Sequence, residues 1–193
     1  QVVDAAMLDG SALLAGMVHG LRGTGQWGER GTNLLDSGAW FYEVYETADG
    51  GHVSFGAIAP RAQAELAEQL GLGDERPDPD DRAAWPVMKA RVADVVRTRT
   101  RDEWCARLEG TDVCFAPVLE PGEAPSHPHV AERGTFVELD GIVQPAPAPR
   151  FSRTVPEVAG PPPAPGAHTD DALADWGFSA DELAALRASG AVR

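Results

Sequence analysis

The opening stretch constrains this chain most. From Val2 to Leu21, VVDAAMLDGSALLAGMVHGL is a run of small and apolar residues with helical spacing. Apolar side chains fall on nearly every face of that helix, which is the pattern of a helix buried on all sides. Standing alone it would present a large apolar surface. Gly10, Gly16 and Gly20 lower its propensity, and make sense where other backbones approach closely. With its start at QVVDAAMLDG and no methionine, the chain is expected to be cut from a larger body that supplies the missing partners.

The rest of the composition is that of a soluble globular protein, with 43% hydrophobic and 24% charged residues over 193 positions. That length allows one good core, or two small ones joined by linkers. The formal charge of −14 argues against nucleic-acid partners, which require clustered Lys and Arg. No run approaches the ~20 apolar residues of a membrane span, and no secretory signal opens the chain. Cys105 and Cys114 fit no C-x-x-C and have no His at zinc-ligand spacing. Both read as packing residues, a reduced thiol pair in a cytoplasmic protein.

Along the chain, a Gly-rich irregular connection leads to two alternating segments, FYEVYET and HVSFGAI. Asp49-Gly50 stands between them as a hairpin signal. RAQAELAEQL is an amphipathic helix closed by Gly71, and the loop DERPDPDDR leads to a second helix from Trp85 through Val96. Thr100 and Glu103 have capping-box spacing for a third helix, and VCFAPVL reads as a short strand. Pro121 to His129 is expected to be loop, and TFVELDGIVQP a strand pair turning at Asp140-Gly141. The proline-rich stretch from Pro145 to Pro165 must run extended, as a strap. Two short helices end the chain, the second capped by Ser179 with Glu182 and closed by Gly190.

The division expected from this pass is a buried helix over 1–25, a linker over 26–47 and a compact small α+β domain over 48–142. A proline-rich strap over 143–166 and a helical tail over 167–193 complete it, the first and last pieces reading as parts of another body.

Asp4 is the sharpest candidate for chemistry. A carboxylate in an apolar helix is costly unless it is hydrogen-bonded, paired or neutralised, a setting that suits a proton donor or acceptor. The competing reading is an N-cap that accepts backbone N–H bonds at the helix start. Asp9, beside Gly10 and Ser11, is the weaker candidate. His127-Pro-His129 is a poor metal set without nearby Cys, so no metal is expected. His19 and the scattered tryptophans read as core residues. The glycines of GERGTNLLDSGAW do not follow a strand and open a helix, so no phosphate-cradling or cofactor-binding loop is indicated.

Several phrases carry a resemblance: QVVDAAMLDG, RGTNLLDSGAWFY, YETADGGHVSFGAIAP, GTDVCFAPVLEPGEAPSHPHVAERGTF, PAPRFSRT and HTDDALADWGFSADELAALRASGAV. In this order they resemble the C-terminal half of the α-methylacyl-CoA racemases, in the family III CoA-transferase group. The resemblance implies an α/β fold: a buried helix and helical tail of a large Rossmann-like domain, plus a small α+β domain. It also implies an interlocked homodimer, with each active site between the large domain of one chain and the small domain of the other.

The same resemblance implies the chemistry. A His and an Asp flank the α-carbon of a 2-methylacyl-CoA; one removes the α-proton to give an enolate and the other returns it on the opposite face. Asp4, in Val2-Val3-Asp4-Ala5-Ala6-Met7, matches the family aspartate. The partner histidine lies upstream in the family, outside this chain, as do most residues that grip CoA. CoA therefore enters as part of the substrate, with no separate cofactor, and the fragment alone is expected to be inactive.

Three positions depart from the family pattern. Val87 stands where a glutamate commonly follows Trp-Pro, Ala59 where Glu-Pro is common, and Trp40 where G-A-P-F-Y has proline. Two other readings stay open: a family III CoA-transferase with Asp4 as thioester-forming nucleophile, and a non-catalytic structural or interaction subunit. In each, the partner is a second copy or a complementing N-terminal half.

Overall fold

The computed structural model describes residues 1–73, 78 and 80–192. Most of the DERPDPDDR loop lies outside the described residues. The chain forms two compact units, Gln1–Leu119 and Glu120–Arg193. The expected small domain over 48–142 has its residues in both.

The first unit opens with α1 (Met7–Leu14) and α2 (Gly16–Gly23). The single helix expected over 2–21 is thus parted at Ala15, and residues 1–6 precede it in non-helical conformation. Neither helix buries a residue within this chain. Val2 is 97% and Met7 89% exposed, and Leu8, Leu13 and Leu14 are comparably open. The buried helix of the sequence reading is therefore solvent-facing here, because none of the described residues covers it. A Cβ at Gly10, Gly16 or Gly20 would meet open space, so the close backbone approach expected at these glycines is not made by the described residues. His19, expected in the core, is exposed for the same reason.

The core begins at Ala39. Strands β1 (Tyr42–Glu46) and β2 (His52–Gly56) pair antiparallel, with Tyr42 opposite Gly56 and Glu46 opposite His52, so the hairpin turns where Asp49-Gly50 indicated. Period-two alternation sends Tyr45, Val53 and Phe55 inward while Val44 faces solvent. Strand β3 (Phe115–Val118) pairs antiparallel with β2, giving the order β1-β2-β3.

Helix α3 (Pro60–Gln69) starts on Pro60, whose fixed φ suits the first turn, and buries Ala62, Gln63, Leu66 and Ala67. Helix α4 (Trp85–Val96) turns one stripe, Trp85, Met88, Val92 and Val96, into the core. Spacings of three and four keep that stripe on one face, and each fully buried aliphatic contributes about 1.5–3 kcal/mol. Helix α5 (Arg101–Leu108) has the expected capping box of Thr100 and Glu103. Trp104, fully buried, donates its Nε1–H to the Val96 carbonyl at 2.8 Å and so joins α5 to the end of α4.

In the second unit a 3-10 turn (Ala124–Ser126) and α6 (Pro128–Glu132) occupy a stretch expected to be loop. Proline is what permits this: Pro128 occupies the first turn of α6, where the missing N–H costs nothing. Strands β4 (Phe136–Leu139) and β5 (Ile142–Pro145) form a two-residue hairpin, with Asp140 and Gly141 both at positive φ as such turns require. Among the described residues from 146 to 166 there is no helix or strand. Helices α7 (Thr169–Asp175) and α8 (Ala180–Ser189) are joined by an Arg187–Asp170 ion pair at 2.9 Å. Ser179 and Glu182 make the expected capping box, and Gly190 closes α8 in the left-handed conformation.

Candidate functional site

Asp4 lies in the non-helical segment before α1, exposed, with no hydrogen bond or ion pair among the described residues. The N-cap of α1 is Ala6, without a side-chain cap bond, so the capping role considered for Asp4 is not the one it plays. Nor does this chain supply the apolar burial expected around it. What the structure offers at Asp4 is an accessible carboxylate at the mouth of an uncovered apolar helix pair. No second acid or base among the described residues is hydrogen-bonded to it.

The phrase RGTNLLDSGAW builds a loop held by several side-chain hydrogen bonds. Asn33, fully buried, accepts the Gly28 N–H on Oδ1 at 2.6 Å. Its Nδ2 donates to the Glu29 carbonyl at 2.8 Å and to Asp36 Oδ2 at 2.7 Å. Asp36 also accepts the backbone N–H groups of Gly31 and Asn33. Burial acts to raise the Asp36 pKa, but these hydrogen bonds outweigh it and hold the carboxyl below its ordinary value. Gly38 closes the loop against the Thr32–Asn33 backbone, where a Cβ would lie 2.5 Å from the Thr32 carbonyl carbon. Lys89 of α4 clamps the far end by donating to the Ser37 carbonyl at 2.7 Å and pairing with Glu43.

Arg22, Trp27, Arg30 and Asp36 line an open groove beside this loop. A smaller cavity of about 240 Å³ lies between α3 and α4, lined by Leu34, Phe41, Ile58, Gln63 and Trp85, with Asp80 and Arg82. Sequence reasoning missed Gln63. The signal available was a polar residue on the inward stripe of an otherwise regular amphipathic helix.

The sequence departures also have positions. Trp40 is fully buried, with its Nε1–H unpaired. Val87, in the first turn of α4, is 76% exposed. Of the thiols, Cys105 is half-buried and pushed up to about 11 by burial and then by Glu109, whereas Cys114 is exposed at positive φ rather than packed. Trp176 is 83% exposed, unlike the core tryptophans Trp40, Trp85 and Trp104. No cluster of three potential metal ligands occurs among the described residues, and no described helix is long and apolar enough to cross a membrane.

The fold is shared with a solved CaiB/BaiF family protein from Brucella suis, at TM-score 0.65 and 18% identity, covering 86% of this chain and 45% of that one. The CoA-transferase family III model matches residues 1–169, and the chain belongs to that family. An alpha-methylacyl-CoA racemase from Mus musculus is 43% identical over 192 residues, covering 96% of this chain and 50% of the relative. A succinyl-CoA–D-citramalate CoA-transferase from Chloroflexus aurantiacus is 28% identical over 201 residues, covering 97% and 50%. The chain thus spans about half the length of the curated relatives it matches.

Proposed function

We propose that this chain is part of an α-methylacyl-CoA racemase-like isomerase, which inverts the α-carbon of 2-methylacyl-CoA thioesters by two-base proton transfer through an enolate. The observation that carries this reading is the 43% identity to a racemase across nearly the whole chain, against 28% to a transferase. Asp4 is one acid/base of the pair. Its accessibility and its lack of a hydrogen-bonded basic partner support a second base supplied from elsewhere, by a complementing half or a second copy in a homodimer. The uncovered apolar surface of α1 and α2 supports the same arrangement, since water is a poor partner for it.

Thioester chemistry accounts for the mechanism. The carbonyl acidifies the α-C–H, an exposed carboxylate is a weak base in water, and closure by a partner removes that water. CoA enters only as part of the substrate and no further cofactor takes part. The setting is cytoplasmic fatty-acid metabolism.

The test is exchange of the α-proton of 2-methylacyl-CoA in D2O, with this chain alone, with a complementing N-terminal half, and with Asp4→Asn in the complemented protein. Exchange in the complemented protein only, lost in Asp4→Asn, is the expected result. Enzyme-like exchange by the chain alone would overturn the need for a second half.

The transferase reading has the 28% relative in its favour, with Asp4 attacking the thioester carbonyl and expelling CoA thiolate. Hydroxylamine trapping at Asp4, or a covalent adduct there, would decide for it. A stable complex with the N-terminal half that lacks both activities would instead indicate a non-catalytic subunit.

A further inference from the structure

Of the 16 Lys and Arg residues in the chain, Lys89 is the one lysine. Guanidinium groups are inert to thioesters, whereas an unprotonated lysine amine attacks them. Apart from its α-amino group, the chain therefore offers one amine for acylation.

That amine is engaged. Its Nζ donates to the Ser37 carbonyl at 2.7 Å and to the Glu43 carboxylate, so α4 grips the end of the 28–38 loop and β1 at one point. Glu43 is 11% exposed, and its other oxygen accepts the Val44 N–H. Ser37 stands at φ 71, a conformation that a residue with a Cβ keeps when its surroundings hold it there. Lys89 itself is 34% exposed, within reach of solvent once Nζ lets go.

Acylation and the clamp compete for the same atom. As the cation of the pair, Nζ has no lone pair to offer a thioester. Reaction begins when the clamp opens and Nζ gives up a proton to Glu43 or to water. The lone pair then adds to the thioester carbonyl carbon, the C–S bond breaks, and the departing thiolate takes a second proton from nitrogen. The products are an amide and a free thiol, with no change of oxidation state. The acylated nitrogen is neutral and keeps one N–H where the ammonium had three. One N–H cannot serve both Ser37 and Glu43, and Glu43 is left with a largely buried charge and no counter-ion from Lys89. The clamp cannot re-form whole.

We propose that Lys89 is a gated acylation site. An acyl thioester reaches it in the opened clamp, and the amide then keeps the 28–38 loop released from α4 and β1. The choice of acyl-CoA as donor rests on the acyl-CoA reading above; the competition at Nζ does not.

The 193-residue chain is incubated with excess acetyl-CoA at about pH 8, beside a reference peptide carrying one lysine, and acetylation of Lys89 is followed by peptide mass mapping. Lys89 should react at least about tenfold more slowly than the reference, as for a clamp open less than about a tenth of the time. Glu43→Gln should remove most of that difference. Hydrogen exchange at the Gly31 and Asn33 amides, both bonded to Asp36, reports on the loop and should be about tenfold faster after acetylation. If Glu43→Gln fails to fold, wild type in urea below its midpoint replaces it, with acetylation rising as the clamp opens. Three results overturn the proposal: wild-type Lys89 reacting at the reference rate, no gain on opening the clamp, or unchanged amide exchange after acetylation. The α-proton assay fails separately. Gating without α-proton exchange in the complemented protein sinks the racemase reading alone, and α-proton exchange without gating sinks the acylation site alone.

Discussion

Replacing Asn33 with Ala tests how the loop ahead of the sheet is held. The side chain is fully buried and makes three hydrogen bonds, to the Gly28 N–H, the Glu29 carbonyl and the Asp36 carboxylate. Two neutral bonds at about 1 kcal/mol each and one to a charged group at about 1.5 kcal/mol sum to about 3.5 kcal/mol. Gly28 and Glu29 are exposed and recover water in the variant, which lowers the expected loss to about 2–3 kcal/mol. The assay is urea unfolding of the 193-residue chain, where the midpoint should fall with an unchanged slope.

Acid supplies a second reading of the same variant. The Asp36 carboxyl is depressed in the fold, so its contribution is present above the unfolded value near 4 and is lost as pH falls through the folded value. Asn33→Ala removes one of the depressing bonds, so the gap between wild type and variant should narrow from about pH 5 downward. A loss under about 1 kcal/mol, or a gap that does not change with pH, would refute this account of the loop.

The other predictions address packing, a thiol and an exposed departure. Gly38→Ala places a Cβ within 2.7 Å of three backbone atoms of Thr32 and Asn33, so a loss of at least about 2 kcal/mol in urea unfolding is expected. Iodoacetamide at pH 8 should label exposed Cys114 and spare Cys105, as peptide mass mapping would show; equal labelling counts against its burial. Because the Cys105 thiol is raised from 9.0 to about 11, its contribution is intact below pH 9 and lost as pH rises toward 11, which unfolding of Cys105→Ala against wild type would detect. Val87→Glu adds an acid to the exposed first turn of α4 and should leave thermal stability unchanged or raise it by up to about 1 kcal/mol; a larger loss would mean that Val87 is packed.

Local chemistry was legible where a few neighbouring residues decide the outcome. The capping boxes at Thr100 and Ser179, the Asp140-Gly141 turn and the β1–β2 alternation all formed as their residues indicated. The exceptions share a cause. Alpha6 formed where prolines suggested loop, because Pro128 suits a first turn as well as it suits a coil. Asn33 and Asp36 read as linker residues, since their bonds depend on how the backbone folds back at Gly38 rather than on any motif spacing.

By itself, the sequence determined the identity of most elements, the family, and Asp4 as the residue to test. Propensity, capping and period act over three or four residues, so they survive without knowledge of the rest. Tertiary structure alone decided which apolar faces are covered. It left α1 and α2 bare, drew Ala39 to Val113 into the core, and turned Gln63 inward with one oxygen unpaired. Burial is a property of what lies opposite a side chain, and what lies opposite is set by distant parts of the chain or by another chain.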